Sequence, residues 1–306
     1  MTWWEALVLG VVQGITEFFP VSSSGHLVMT ERLLGLELPG TGFAVVVHVA
    51  TLLSVIVVYR QRLLNLCLGC LGLHTESGWP YVLKLIAATV PAAFVGLLFK
   101  VWFEARFDDP RFTGTMLLVT GTFLWSTRWT GKSRIPGWKE WVPVGIALVV
   151  SVIAGSVVPF VAVLGLEVAV MAAARFTAAP EVLTEPRMGG AILMGVAQAI
   201  AIFPGISRSG STVVTGLWRR IDAVAAAEFS FLMSIPAILG AAVLDVPEVI
   251  SVGFGVPALP LFIGFVAAAL SGVLAIRYFV ALLRRQNFYS FAWYCWAAGT
   301  VFLLTL

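Results

Sequence analysis

Charge is what this sequence has least of. Only 11% of its 306 residues are Asp, Glu, Lys or Arg, against 59% hydrophobic, and 19 basic plus 16 acidic side chains cannot coat a globule of that length. Soluble domains carry about 25% charged residues. A soluble enzyme, a nucleic-acid-binding protein and a disordered chain are all excluded on that ground. A net charge of +3 is also too small to argue for an anionic polymer as partner. Cysteine is nearly as scarce. Cys67, Cys70 and Cys295 make an odd count with no disulfide framework, and Cys67-x-x-Cys70 closes an apolar run without thioredoxin-like surroundings, so packing is the expected role. The first residues, Met1-Thr2-Trp3-Trp4-Glu5, show neither a basic leader nor a small-residue cleavage site, and no signal peptide is expected.

What the chain has in place of charge is long apolar runs. Residues 42–59, 85–99, 112–127, 249–276 and 286–306 contain no Asp, Glu, Lys or Arg, and 223–244 contain only Glu228. Helix is the conformation expected of all six, because an open strand would leave its backbone groups unpaired in lipid. The fold class expected is therefore an all-α polytopic membrane protein, with spans over 42–60, 79–100, 112–128, 223–245, 257–277 and 286–306. Trp and Tyr near the span ends, Trp3, Trp4 and Trp293 among them, read as interfacial anchors.

Two further apolar regions are interrupted. Residues 6–30 are broken at Phe19-Pro20-Val21-Ser22-Ser23-Ser24-Gly25, and residues 188–218 at Phe203-Pro204-Gly205-Ile206-Ser207-Arg208-Ser209-Gly210. Each half falls short of the roughly 20 residues a span needs. A Pro/Gly/Ser break inside an apolar stretch predicts two half-helices meeting at a turn, a re-entrant hairpin (3–36 and 188–218), since irregular backbone at membrane depth is tolerated only where it lines a cavity.

The two regions repeat each other. Shifted by 185 residues, GVVQGITEFFPVSSSGHLV (10–28) lies without a gap on GVAQAIAIFPGISRSGSTV (195–213), with nine of 19 positions identical, including Gln13/Gln198, Ser22/Ser207, Ser24/Ser209 and Gly25/Gly210. Apolar identities come easily in this composition, but the matched Gln, Ser and Gly around the break do not. The chain reads as an internal duplication: a first repeat over 1–128, a linker over 129–187 and a second repeat over 188–306, each repeat a hairpin followed by three spans. Three spans between hairpin and linker place the second hairpin on the opposite side of the membrane, an inverted repeat, provided the linker crosses an even number of times. Placing loops 60–78, 128–140, 219–222 and 277–285 inside collects 11 of the 19 Lys and Arg, against four in loops 31–41, 100–111 and 245–248. That satisfies the positive-inside rule and turns the first hairpin's mouth away from the cytoplasm. In the linker, residues 141–166 are uncharged, and Glu167 and a Pro/Glu/Thr-rich stretch to Pro186 follow. It reads as a helical insertion of two packed helices, turning near Pro159 or Gly165.

The breaks carry the chemistry. Each is followed by a half-helix whose first-turn N–H groups and positive dipole end face inward, and two such ends converging favour a multiply charged anion. Ser22, Ser23, Ser24, Ser207, Ser209, Ser211 and Thr212 add hydroxyl donors, with Gly25 and Gly210 allowing close approach. Arg208 adds a fixed cation whose fork matches phosphate oxygens. Three serines on each turn, one turn bearing an Arg in apolar surroundings, exceed what helix capping requires. Gln13 and Glu17 are spaced i,i+4 on one face of the first half-helix, and His26 follows Ser23 by three residues, so both can share a face of the second. A serine, an imidazole and a carboxylate around an anion site are the parts for hydrolysis. His48, central in a span, reads mainly as packing, and Glu228 reads equally as structural or functional. A transporter or flippase of a lipid phosphate or organic anion remains the rival reading, because broken helices in an inverted repeat are also transporter architecture.

The segments Gln13-Gly-Ile-Thr-Glu17-Phe-Phe-Pro-Val-Ser-Ser-Ser-Gly-His26 and Pro204-Gly-Ile-Ser-Arg-Ser-Gly-Ser-Thr212 resemble the two signature motifs of the undecaprenyl-diphosphate phosphatase family, the BacA type linked to bacitracin resistance. Ala227-Glu-Phe-Ser-Phe-Leu-Met-Ser-Ile-Pro236 is similar to that family as well. The likeness covers both repeats and leaves 141–187 outside the compact family pattern. It implies removal of the terminal phosphate from undecaprenyl diphosphate, which regenerates the lipid carrier for cell-wall synthesis. It also implies a site open to the periplasmic side of the bacterial inner membrane and a divalent cation, Mg²⁺ or Ca²⁺. Gln13 stands at the first motif position, so Glu17 is the only carboxylate of the pair, and the two together are the metal ligands implied. Under this resemblance Ser23 is the expected nucleophile, with His26 or Glu17 taking its proton and Arg208 on the phosphate. Direct attack by an activated water is the rival chemistry. Membrane lipid is the surrounding partner, nucleic acid is not one, and a homodimer is a candidate assembly.

Overall fold

The computed structural model describes all residues except 37, 39, 74–77, 108, 131–136, 285–287 and 306, and omits the side chains of 104 and 138. In chain order the helices are α1 (Trp3–Phe18), α2 (Ser23–Leu33), α3 (Gly42–Val58), α4 (Arg60–Cys70), α5 (Trp79–Leu98), α6 (Lys100–Phe107), α7 (Pro110–Trp125), α8 (Val142–Ile153), α9 (Val157–Phe176), α10 (Met188–Ile200), α11 (Arg208–Trp218), α12 (Ala223–Val252), α13 (Ala258–Leu283) and α14 (Phe291–Thr305). Among the described residues the only strand-like feature is an isolated bridge, Leu183 to Ile221, which ties the end of the linker to the turn after α11.

Among the described residues four helices, α5, α9, α12 and α13, are long and apolar enough to cross a membrane, and the chain is a multi-pass membrane protein. The α3–α4 pair meets the same criterion together but is bent by 76° at Tyr59. α7 and α14, at 16 and 15 residues, are shorter than the spans expected at 112–128 and 286–306. After α7 the chain tightens into a 3₁₀ turn, Ser126–Trp129, and residues 286, 287 and 306 lie outside the described residues.

Several boundaries differ from the sequence reading: α4, α6 and the end of α13 fill much of the loops expected at 60–78, 100–111 and 277–285. The loop expected at 245–248 is helix, because α12 runs on to Val252 and ends only at Gly253, with φ 82°. Its acidic residues find partners there: Asp245 lies 3.5 Å from Lys100, and Glu248 accepts a 3.1 Å bond from the Thr41 amide. In the linker the turn falls at Gly155, with φ 69°, and not at Pro159 or Gly165. Pro159 sits in the first turn of α9, where a missing N–H costs nothing. α8, 12 residues or about 18 Å long, is well under a bilayer's width, whereas α9 is of spanning length.

Small residues set the tightest packing. α1 lies along α13, with Gly10 so close to Gly264 and Ala267 that a methyl group would collide with the Gly264 carbonyl. Gly195, aligned with Gly10 in the repeat, plays the same part between α10 and α5, against the Ala88 carbonyl. In lipid, where apolar surface alone gives helices no reason to associate, such close backbone approach supplies the attraction. α7 packs along α14, α3 against α12 and α13, and α9 against α7, α10 and α11.

Candidate active site

The first break follows from Pro20. The residue before a proline is driven out of the helical region, and Phe19 accordingly has φ −72° and ψ 148°, ending α1. Val21 and Ser22 complete the turn. Ser22 has φ 66°, a left-handed conformation that a serine adopts only where its surroundings hold it. In the second break, Gly205 has φ 98° and lies against the Thr113 carbonyl, a place only glycine can occupy. Ser207 then caps α11, accepting from the Gly210 amide at 3.1 Å, and its own amide donates to Thr120 Oγ1 at 3.1 Å.

The two breaks meet. Ser209 Oγ donates to the Phe19 carbonyl at 3.0 Å, and Gly25 lies beside Gly205 and Thr113. At their junction sits Glu17, 7% exposed. Ser23 Oγ donates to Glu17 Oε2 at 2.6 Å, and Gln13 Nε2 donates to the same oxygen at 3.1 Å. Arg208 Nη2 donates to Oε1 at 2.6 Å. His48, on α3, brings Nε2 to 3.8 Å from Oε2 while its Nδ1 donates to the Ala44 carbonyl. One carboxylate thus gathers residues from both broken helix pairs and from α3.

Arg208 is steered from α12. Its Nη1 donates to the Ser230 carbonyl at 3.3 Å, and Ser230 Oγ lies 2.6 Å from Thr212 Oγ1, which also donates to the Arg208 carbonyl. With its backbone and guanidinium both tied, the fork is held in one orientation between Glu17 and Ser230.

The other sequence candidates divide. Ser22 and Ser24 hydroxyls lie 3.3 Å apart at the start of α2, as do Ser207 and Ser209 at the start of α11. Ser211 is drawn away from the breaks: its hydroxyl donates at 2.7 Å to Glu167 Oε1, a fully buried carboxylate on α9. His26 is buried and faces α14, with Nδ1 2.8 Å from the Ser22 carbonyl and Nε2 2.7 Å from Tyr294 Oη. Glu228 pairs with Arg62 at 3.0 Å beside the Tyr81 ring, away from this cluster. Cys67, Cys70 and Cys295 are free thiols.

Three contributors gain no site role from the sequence. His48 reads there mainly as packing, although an ionisable side chain within a charge-free run is a usable signal. Ser230 stands only within the family-like stretch 227–236, and Tyr294 carries no signal, because a common residue in an apolar helix depends for its importance on what faces it.

Gln13 also bears on metal binding. Its Oε1 is buried without a hydrogen-bond partner among the described residues. An oxygen left so, next to a carboxylate, fits the oxygen-rich surroundings that Mg²⁺ and Ca²⁺ prefer. Groups of three or more His, Cys, Asp or Glu able to hold a metal are absent among the described residues, so amide, water or substrate oxygens would have to complete the coordination of such an ion.

Comparison with known proteins matches this sequence to a family. The sequence profile described as "Bacitracin resistance protein BacA" matches residues 6–179 and 155–301, ranges that run through the linker. A protein named undecaprenyl-diphosphatase from Alkaliphilus metalliredigens (strain QYMF) is 35% identical over 319 residues, covering 99% of this chain and 98% of the relative. Proteins of the same name from Desulforapulum autotrophicum and Parabacteroides distasonis are 32% and 35% identical, covering 98–99% of this chain and 97–98% of theirs. Two signature breaks, the carboxylate that joins them and full-length similarity together place this chain in the BacA family.

Proposed function

We propose that the protein is an integral membrane phosphatase that hydrolyses undecaprenyl diphosphate to undecaprenyl phosphate and inorganic phosphate, returning the lipid carrier to cell-wall synthesis. Membership of the family and the shared name of its full-length relatives support the reaction. One observation carries the chemistry: Ser23 and Arg208 each hydrogen-bond, at 2.6 Å, to a different oxygen of Glu17.

The prenyl tail lies in lipid or between helices while the diphosphate enters at the breaks. Arg208 is a preformed cation there, and the first turns of α2 and α11 point N–H groups at the same place, so charge developing on the transferred phosphoryl group meets donors already oriented. Ser23 Oγ attacks the terminal phosphorus as its proton passes to Glu17 Oε2. The phosphoanhydride bond breaks and undecaprenyl phosphate leaves. Water then hydrolyses the phosphoserine: the proton that Glu17 took from Ser23 returns to Oγ as the P–O bond breaks, and the attacking water's protons leave with the inorganic phosphate and bulk water. Gln13 and Glu17 are the residues that would hold a divalent cation, which when bound supplies additional neutralisation of diphosphate charge.

The architecture proposed with this reaction is an inverted repeat. α1–α2 with α3, α5 and α7 corresponds to α10–α11 with α12, α13 and α14, and the pairings α1 with α13 and α10 with α5 are the exchange such a symmetry requires. The excess of Lys and Arg in the loops assigned to the cytoplasm supports a site that opens to the periplasmic side of the inner membrane.

The test is phosphate release from undecaprenyl diphosphate by purified protein in detergent, for the native chain and Arg208→Ala, with and without chelator. Release by the native chain, abolished in the variant, is the expected result. Binding without release, together with gradient-driven flux in liposomes, would replace hydrolysis with transport.

A further inference from the structure

Ser22 and Arg220 are the non-glycine residues with left-handed φ among the described residues, and such a conformation is unfavourable where nothing compensates. At Ser22 the compensation is visible. Its carbonyl accepts from the His26 amide at 3.3 Å and from His26 Nδ1 at 2.8 Å. A carbonyl can only accept, so Nδ1 carries the proton, and in the neutral ring Nε2 is left as an acceptor. Tyr294 Oη, 2.7 Å away, is the donor that acceptor needs. The two rings are stacked, with centroids 5.5 Å apart and planes 15° from parallel.

Tyr294 belongs to a stripe. Phe291, Tyr294 and Cys295 are spaced i, i+3, i+4 and share one face of α14. The Phe291 ring centroid lies 5.6 Å from that of Phe19, and Cys295 Sγ donates to the Pro20 carbonyl at 3.4 Å. Three neighbours on the last helix therefore grip residues 19, 20 and 26, on either side of the turn that presents Ser23.

We propose that Tyr294 is a positioning residue for the reaction of Ser23: by donating to His26 Nε2 it holds the imidazole in its Nδ1–H form, which pins the Ser22 carbonyl and aims Ser23 Oγ at Glu17. The consequence for turnover rests on the hydrolase reading above; the geometry does not.

Tyr294→Phe keeps the ring and its stacking and removes only the hydroxyl. The full-length protein in detergent is measured two ways: steady-state phosphate release from undecaprenyl diphosphate, and the ¹⁵N spectrum of histidine-labelled protein. The chain has three histidines, and the His26 signals are identified by their loss in His26→Gln. In Tyr294→Phe, kcat falls roughly ten-fold with KM within about two-fold, and the His26 signals move from a fixed Nδ1–H form toward a mixture of tautomers. Tyr289→Phe leaves both at native values. A kcat within two-fold of native, or unchanged His26 signals in Tyr294→Phe, overturns the proposal. Should the native protein release no phosphate, the hydrolase reading falls, and the nitrogen spectrum alone decides whether Tyr294 sets the His26 tautomer.

Discussion

Ser23 and Arg208 occupy the same position of the two sequence repeats, 185 residues apart, and in the folded chain they donate to opposite oxygens of one carboxylate, Glu17. Under the proposed duplication, the same position carries a hydroxyl in the first repeat and a cation in the second.

Arg208 is the residue whose loss is expected to cost most in catalysis under the proposed reaction. A guanidinium preset against a transferring phosphoryl group contributes about 10³-fold or more in phosphoryl-transfer enzymes. Arg208→Lys keeps the charge but loses the fork that binds Glu17 and the Ser230 carbonyl together, and its phosphate release is expected to fall by about 10²-fold or more.

Ser23→Ala separates covalent transfer from attack by water. Loss of turnover by about 10³-fold is expected, and rapid quenching of the native enzyme with labelled substrate should yield phosphate on the peptide carrying Ser23. A fully active Ser23→Ala would discard the phosphoserine.

Glu17→Gln leaves Arg208 without its counter-charge in a site that is nearly closed. Breaking a buried pair by removing one partner costs about 3–5 kcal/mol. With the Arg208 side chain 16% exposed the lower end is expected, and thermal unfolding in detergent should show it alongside lost activity. The double change Glu17→Gln with Arg208→Met should recover stability and not turnover.

Ser211 gives the opposite pattern. Its hydroxyl is committed to Glu167, so Ser211→Ala should leave KM within about two-fold and lower stability by about 1–2 kcal/mol, the cost of stranding a buried acceptor. A several-fold rise in KM at unchanged stability would return Ser211 to the phosphate site.

Gly205→Ala tests the second break. Its left-handed φ and the Thr113 carbonyl both oppose a methyl group, and a loss of about 3 kcal/mol is expected in the same unfolding assay.

Much of this was already fixed by local chemistry. Scarce charge and charge-free runs determined a polytopic helical membrane protein, because lipid satisfies no backbone hydrogen bonds. Pro20 marked where the first broken stretch ends its helix, since a proline disfavours the helical conformation in the residue before it. An arginine and a carboxylate set in such runs marked themselves as functional by the cost of placing charge there. Where a sequence signal was spread over many weak contacts, as at the end of α12 or the turn of the linker at Gly155, the boundaries shifted by several residues. Only the tertiary structure decided which groups meet. That Glu17 is the one to accept from Ser23, that His26 turns to Tyr294, that Ser211 is claimed by Glu167 and that His48 joins the cluster all depend on pairings between helices far apart in sequence. Helical periodicity says which face a side chain is on and nothing about which distant helix that face will meet.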